Sequence, residues 1–152
     1  MQPKVKLFDV GPKFYGPASD FIRTGHGSFF CLMNPGIVKS LEQIFIAYER
    51  SMRIFRESRV KNVEALFLML MSGETQISKA LMEAGIDQKL RRVVAVYDST
   101  DDLERLQRIA GNEMKEIEIG PGMNLEDNDD MIFTRMVKVQ LSLMFQHKSP
   151  LD

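Results

Sequence analysis

Tryptophan is absent from this 152-residue chain, histidine occurs twice and cysteine once. Each scarcity excludes a class of chemistry. The single thiol, Cys31, rules out an internal disulfide framework and suits a reducing compartment. His26 and His147 stand far apart, and no HxxxH or CxxC spacing exists, so no metal site is expected. Walker, GxGxxG and GxSxG loops are missing as well. No apolar run approaches the roughly 20 residues that span a bilayer, and MQPKVKLFDVG lacks a secretory h-region. A net charge of −1 and a pI near 6.1 give no global attraction to nucleic acid or anionic membranes. These absences predict a single-domain cytoplasmic protein of residues 1–152, without membrane contact, cofactor or catalytic residues.

What is present is ordinary globular composition, 44% apolar and 27% charged, with one surplus: eleven methionines. Methionine is flexible, so it serves either as core filler or as an adaptable interaction surface. The chain is organised around VEALFLMLMSGETQISKALMEAG, residues 63–85. Val63 to Met71 is apolar except for Glu64, breaks at Ser72-Gly73, and restarts near Thr75. A short apolar run bounded by a turn fits a strand buried on both faces, although a buried helix shares the pattern. Ile77, Ala80, Leu81 and Ala84 then follow the spacing of one helical face, and Gly85 occupies the place of a left-handed C-cap. The stretch thus predicts core strand, polar turn and amphipathic helix.

Residues 4–10 predict a first strand, 12–18 a turn-rich connector, and 20–23 a short element. Residues 28–33 predict a buried strand or the start of a helix. Asn34-Pro35 is a helix start, followed by a stripe through Ile37, Leu41, Ile44, Phe45, Tyr48, Met52 and Phe55. Val93–Tyr97 predicts a β-branched strand, 98–102 the cap of a helix carrying Leu103, Leu106, Ile109 and Ala110, and 115–119 a further strand. The acidic residues 124–130 cap a last, long hydrophobic helix over 128–146, apolar almost all round. Such a helix calls for a central position or a partner; the expected partner face carries Met131, Phe133, Met136, Val137 and Met144. Left alone, that face predicts self-association. The element order predicts an α/β fold, a small mixed sheet with helices packed on it.

Two stretches invite a chemical reading. The acidic clusters at 98–102 and 126–130 suit a hard cation, with Asp98, Asp101 and Asp102 as candidates, or helix capping, which is the commoner use. Ser72-Gly73-Glu74-Thr75-Gln76 reads as an anion pocket or as a capped turn: Gly73 permits a sharp bend, and a helix start offers free amides.

The same stretch carries a resemblance. Ser72, Gly73, Thr75, Gln76 and Ile77, followed by Ala80-Leu81 and Gly85-Ile86, resemble the TPRKB-type small subunit of the KEOPS complex. The following strand, helix, strand and long last helix come in the same order, so the resemblance covers about residues 60–146. It implies a non-catalytic subunit of a complex that makes threonylcarbamoyladenosine in tRNA. Such a subunit binds the N-lobe of the small kinase/ATPase subunit and, in archaeal members, helps to hold the CCA end of tRNA. By this resemblance Ser72, Gly73, Thr75, Gln76 and Ile77, with the basic Arg91 and Arg92, are candidate tRNA- or anion-binding residues. One departure stands out: Leu70 and Glu74 lie where archaeal members place basic residues. The remaining cations are Arg53, Arg56, Arg59, Lys61, Lys89, Arg91 and Arg92. Without the resemblance, the rival function is a small ligand-binding regulatory domain with its anion pocket at Ser72–Gln76.

Overall fold

The computed structural model describes residues 2–24, 26–57, 61–119, 136, 138 and 139. The chain forms two compact units that alternate along the sequence. One comprises Met1–Gly36 and Gly85–Asn124, the other Ile37–Ala84 and Leu125–Asp152.

The first unit is built on four strands: β1 (Lys4–Val10), β2 (Phe30–Met33), β3 (Arg92–Tyr97) and β4 (Met114–Ile117). Their order is β2-β3-β1-β4 and every neighbouring pair is antiparallel, with Leu7 opposite Val94 and Ile117, and Cys31 opposite Val96. The mixed sheet expected from element order is therefore corrected. β1 and β2 do run parallel to each other, but β3 lies between them. Helix α1 (Tyr15–Thr24) links β1 to β2, and α5 (Thr100–Ala110) links β3 to β4. Two interlocked β-α-β units in this strand order make a ferredoxin-like plait. Residues 37–84 are inserted between its second and third strands.

Alternation along the strands places Phe8, Val10, Phe30, Leu32, Val93, Ala95 and Tyr97 in one core, which also contains Phe14, Ala18 and Phe21 with Leu103, Leu106 and Ala110. Leu7, Cys31, Met33, Val94 and Val96, on the opposite sheet face, are buried too. That double burial explains why β3 reads as an unbroken apolar run without being parallel. Helix α1 begins inside the expected connector; Pro17 is tolerated there because first-turn amides need no intrahelical partner. Ser99, not the acids beside it, caps α5 by accepting from Asp101 N at 3.3 Å. Gly111 ends α5, at φ 56°. Ile109, expected inside, is 56% exposed.

Sheet chemistry gives an alkaline prediction. Lys6 Nζ lies 3.2 Å from Glu116 Oε1, and this bond, more than any other influence, raises the Lys6 pKa above its ordinary 10.5. Burial raises Tyr97 above its ordinary 10.0. Both groups hold their protons more tightly when folded. Their stabilisation is complete below the unfolded values and is lost as pH rises through the folded ones. Urea midpoints should therefore hold steady from pH 8 to 9 and fall above pH ~10, less steeply in Lys6→Met. A flat profile through pH 11 would show that neither group is coupled to folding.

The second unit contains α2 (Leu41–Glu57), α3 (Val63–Ser72) and α4 (Ile77–Ala84), with α3 packed against both others. The strand expected at 63–71 is a helix. Its composition explains the outcome: Val63 is the only β-branched residue, and Ala, Leu, Met and Glu are good helix formers. Local caps close both ends. Asn62 Oδ1 accepts from Ala65 N at 3.0 Å; Gly73, left-handed at φ 75°, donates its N–H to Met69 O at 2.9 Å. Every residue from Ala65 to Met71 is buried, so no polar face exists to show a helical period. Gly85 is not left-handed; among the described residues only Gly73 and Gly111 have positive φ.

Asn34-Pro35 opens a 3-10 turn over Pro35–Ile37 rather than the long helix, and Asn34 Oδ1 accepts from Gly36 N at 2.9 Å. The start of α2 is set by Ser40, whose Oγ accepts from Gln43 N at 3.0 Å. Its buried stripe is Ile44, Ala47, Tyr48 and Ser51, while Phe55 is exposed. The apolar helix expected over 128–146 lies outside the described residues, apart from Met136, Lys138 and Val139, which are helical.

Candidate functional site

The turn between α3 and α4 carries most of the residues singled out above. Its first half is internally satisfied. Gly73 N–H is bonded to Met69 O, the Ser72 hydroxyl donates to the same carbonyl at 3.3 Å, and Glu74 N donates to Ser72 Oγ at 3.3 Å. Ser72 and Gly73 thus form a capped turn that joins helix to helix, rather than strand to helix as expected.

The second half faces outward. Thr75 is half-buried and Gln76 exposed; the Gln76 carbonyl accepts from Ala80 N at 3.0 Å and starts α4. Ala80 and Ala84 form the inner stripe of α4, small enough for the helix to lie close on α3. The apolar stripe beside them is left in solvent: Ile77 is 52%, Leu81 49% and Met82 81% exposed. Helical spacing located the right four apolar positions, but it could not tell which two of them face inward. Leu70, one of the positions where a cation was missed, is buried, so its surroundings are apolar whatever the turn binds.

Arg91 and Arg92 belong to the other compact unit and are both exposed. Arg92 Nε donates to Asp9 Oδ1 at 2.9 Å across the β1–β3 ladder. On α2, Arg53 is paired with Glu49 while Arg56 is exposed; Arg59 lies outside the described residues. Met136, from the expected partner face, is fully buried in this chain. Met131, Phe133, Val137 and Met144 lie outside the described residues.

The acidic cluster at 126–130 lies outside the described residues, and among the described ones Asp98, Asp101 and Asp102 do not converge on a metal site. Among the described residues no group of three His, Cys, Asp or Glu side chains is placed to hold a metal ion. Asp102 instead has a structural use that the sequence did not reveal. It is 3% exposed, and its two oxygens accept from Gly27 N at 2.9 Å and Ser28 N at 3.0 Å. Arg105 Nη1 stands 3.6 Å away and its guanidinium lies over Phe21, 5.5 Å from the ring centroid. His26 sits beside the rings of Phe21 and Phe30, and its Nδ1 is 2.8 Å from the Ser28 carbonyl. The cluster pins the loop before β2. No helix among the described residues is long and apolar enough to cross a membrane.

An internally bonded turn thus lies beside an exposed apolar stripe. A family model described as kinase binding protein CGI-121 matches residues 19–138. The chain belongs to the CGI-121 family. No curated protein matches the sequence. The match agrees with the TPRKB-type resemblance carried by Ser72–Ile77, and it also takes in α2, β2 and most of α1. As a member of the CGI-121 family the chain has a kinase as its partner.

Proposed function

We propose that this CGI-121 protein is a non-catalytic accessory subunit of a KEOPS-type tRNA-modifying complex in the cytoplasm, and that its kinase partner is the complex's kinase/ATPase subunit. The family match over residues 19–138 carries the kinase-binding part of this reading. The Ser72–Ile77 resemblance supports the complex. Met131, Phe133, Val137 and Met144, apolar residues in a run with few polar interruptions, are assigned to the kinase-docking face.

The direct test is size-exclusion with light scattering on an equimolar mixture with a KEOPS-type kinase subunit. A stable heterodimer is expected at micromolar concentration, and Met144→Asp should abolish it while the free protein keeps its melting temperature. No complex with the unaltered chain would sink the reading. A Met144→Asp protein that binds normally would move the docking face elsewhere.

One observation favours a second contact, with the single-stranded end of tRNA. Ile77 and Leu81 present apolar surface directly beyond the polar Thr75 and Gln76. Unpaired bases are held by such a combination, an apolar platform for the ring and neutral groups for its edges. We assign Ser72, Gly73, Thr75, Gln76 and Ile77 to this contact; Arg91 and Arg92, exposed on the other unit, are separate candidates for tRNA phosphate. Ile77→Asp should weaken binding of an intact tRNA about tenfold, the loss of an apolar contact of roughly 1.4 kcal/mol, without loss of stability. Fluorescence anisotropy with intact tRNA and with tRNA lacking CCA measures it. Equal affinity for the two RNAs would dismiss the end-binding assignment.

A further inference from the structure

The α3–α4 turn is held from outside by one side chain. Gln43, near the start of α2, is 4% exposed and uses its amide completely. Its Oε1 accepts from Lys39 N at 2.6 Å, and its Nε2 donates to Ile37 O and to Met71 O, both at 3.3 Å. Met71 O is one of the last carbonyls of α3, which run out of intrahelical donors as the helix ends at Ser72. Gly73 and Ser72 bond to Met69 O, which leaves Met71 O to Gln43. A buried glutamine thus closes a helix C-terminus that lies 28 positions away. It also joins that terminus to the 37–39 segment leading into α2.

We propose that Gln43 is the positioning residue of the α3–α4 turn: its amide sets where Ser72–Ile77 sit and so governs the binding contact made there. The inference rests on the RNA-end reading for the identity of the ligand, but not for the geometry. Three features make Gln43 more than a satisfied core amide. Its two donor bonds end on different segments, so it links segments rather than filling a gap. The carbonyl it meets is next to the turn itself. The bonds also offer the turn a fixed reference on α2, which the turn's own short hydrogen bonds cannot supply.

Gln43→Met keeps the length and removes all three side-chain bonds. Gln43→Glu keeps the acceptor for Lys39 N and removes only the donors, so it carries the same test should Gln43→Met not fold. The measurement is amide hydrogen exchange, residue by residue, with tRNA anisotropy on the same protein. Exchange at Gly73, Glu74 and Thr75 should accelerate about tenfold or more, with the middle of α3 unchanged, since local opening is governed by local bonds. Affinity for intact tRNA should fall about fivefold, the lower end of ordinary coupling between linked sites, with kinase binding unaltered. Uniform acceleration across α2, α3 and α4 would overturn the proposal and reduce Gln43 to a stabilising core residue. Unchanged exchange at the turn would overturn it as well. If unaltered protein does not bind tRNA, the RNA reading fails by itself, and exchange at Gly73–Thr75 still decides the role of Gln43.

Discussion

Phe67→Ala should destabilise this protein by about 3–5 kcal/mol, the usual cost of emptying a buried phenylalanine site. Phe67 is fully buried at the middle of α3, and its neighbours Leu66, Leu68, Met69 and Leu70 are buried with it. Truncation removes the apolar surface and leaves a cavity inside a helix that has no solvent side to relax toward. For a chain of this length the change corresponds to a fall of roughly 10 °C in Tm. Met82→Ala, on the solvent side of α4, is the matched control and should change stability by less than about 0.5 kcal/mol. Urea unfolding of the two variants makes the comparison. A loss below about 1 kcal/mol for Phe67→Ala would mean that α3 is not the centre of its unit.

The second large effect concerns Asp102. Asp102→Ala strands two backbone donors, Gly27 N and Ser28 N, and leaves Arg105 without its carboxylate. An unsatisfied buried donor costs about 1–3 kcal/mol, so a total of about 2–4 kcal/mol is expected. Asp102→Asn keeps one acceptor oxygen and puts an NH2 against a backbone N–H, so it should recover only part of the loss. Hydrogen exchange adds the local signature: the Gly27 and Ser28 amides should lose protection before the sheet does. If Asp102→Ala melts with the unaltered protein, the carboxylate is not what holds the loop.

Asp102 also illustrates where sequence reasoning stops. Beside Ser99 and Asp101 it looks like one more capping acid, and local rules assign it to the helix start. Its actual bonds reach a loop 75 residues earlier, a distance over which no local pattern carries information. Gln43 is the same case on the other unit. Helix α5 and strands β1 and β3 were legible because each announces itself locally: period-3.6 burial behind a serine cap for α5, and β-branched or alternating residues bounded by turns for the strands. Helix α3 was not, since burial on all sides erases the polar face that a period needs. The antiparallel order escaped for another reason. In a β-α-β-β-α-β plait the two middle strands normally show as a hairpin, and here residues 37–84 separate β2 from β3.

The candidate site divides along the same line. The Ser72–Ile77 motif, the need for a permissive backbone at Gly73, and the small-residue positions Ala80 and Ala84 follow from the amino-acid sequence, because they are statements about chain stereochemistry and spacing. The TPRKB-type resemblance came from that motif, and the CGI-121 match agrees with it. Which side of α4 meets water was settled only by packing. Ala80 and Ala84 and the pair Ile77 and Leu81 have equal claims to an inner face until α3 occupies one of them. The same holds for Gly73, whose left-handed turn ends a helix rather than a strand. Backbone rules determine what a residue tolerates; the neighbours brought by the tertiary fold determine what it does.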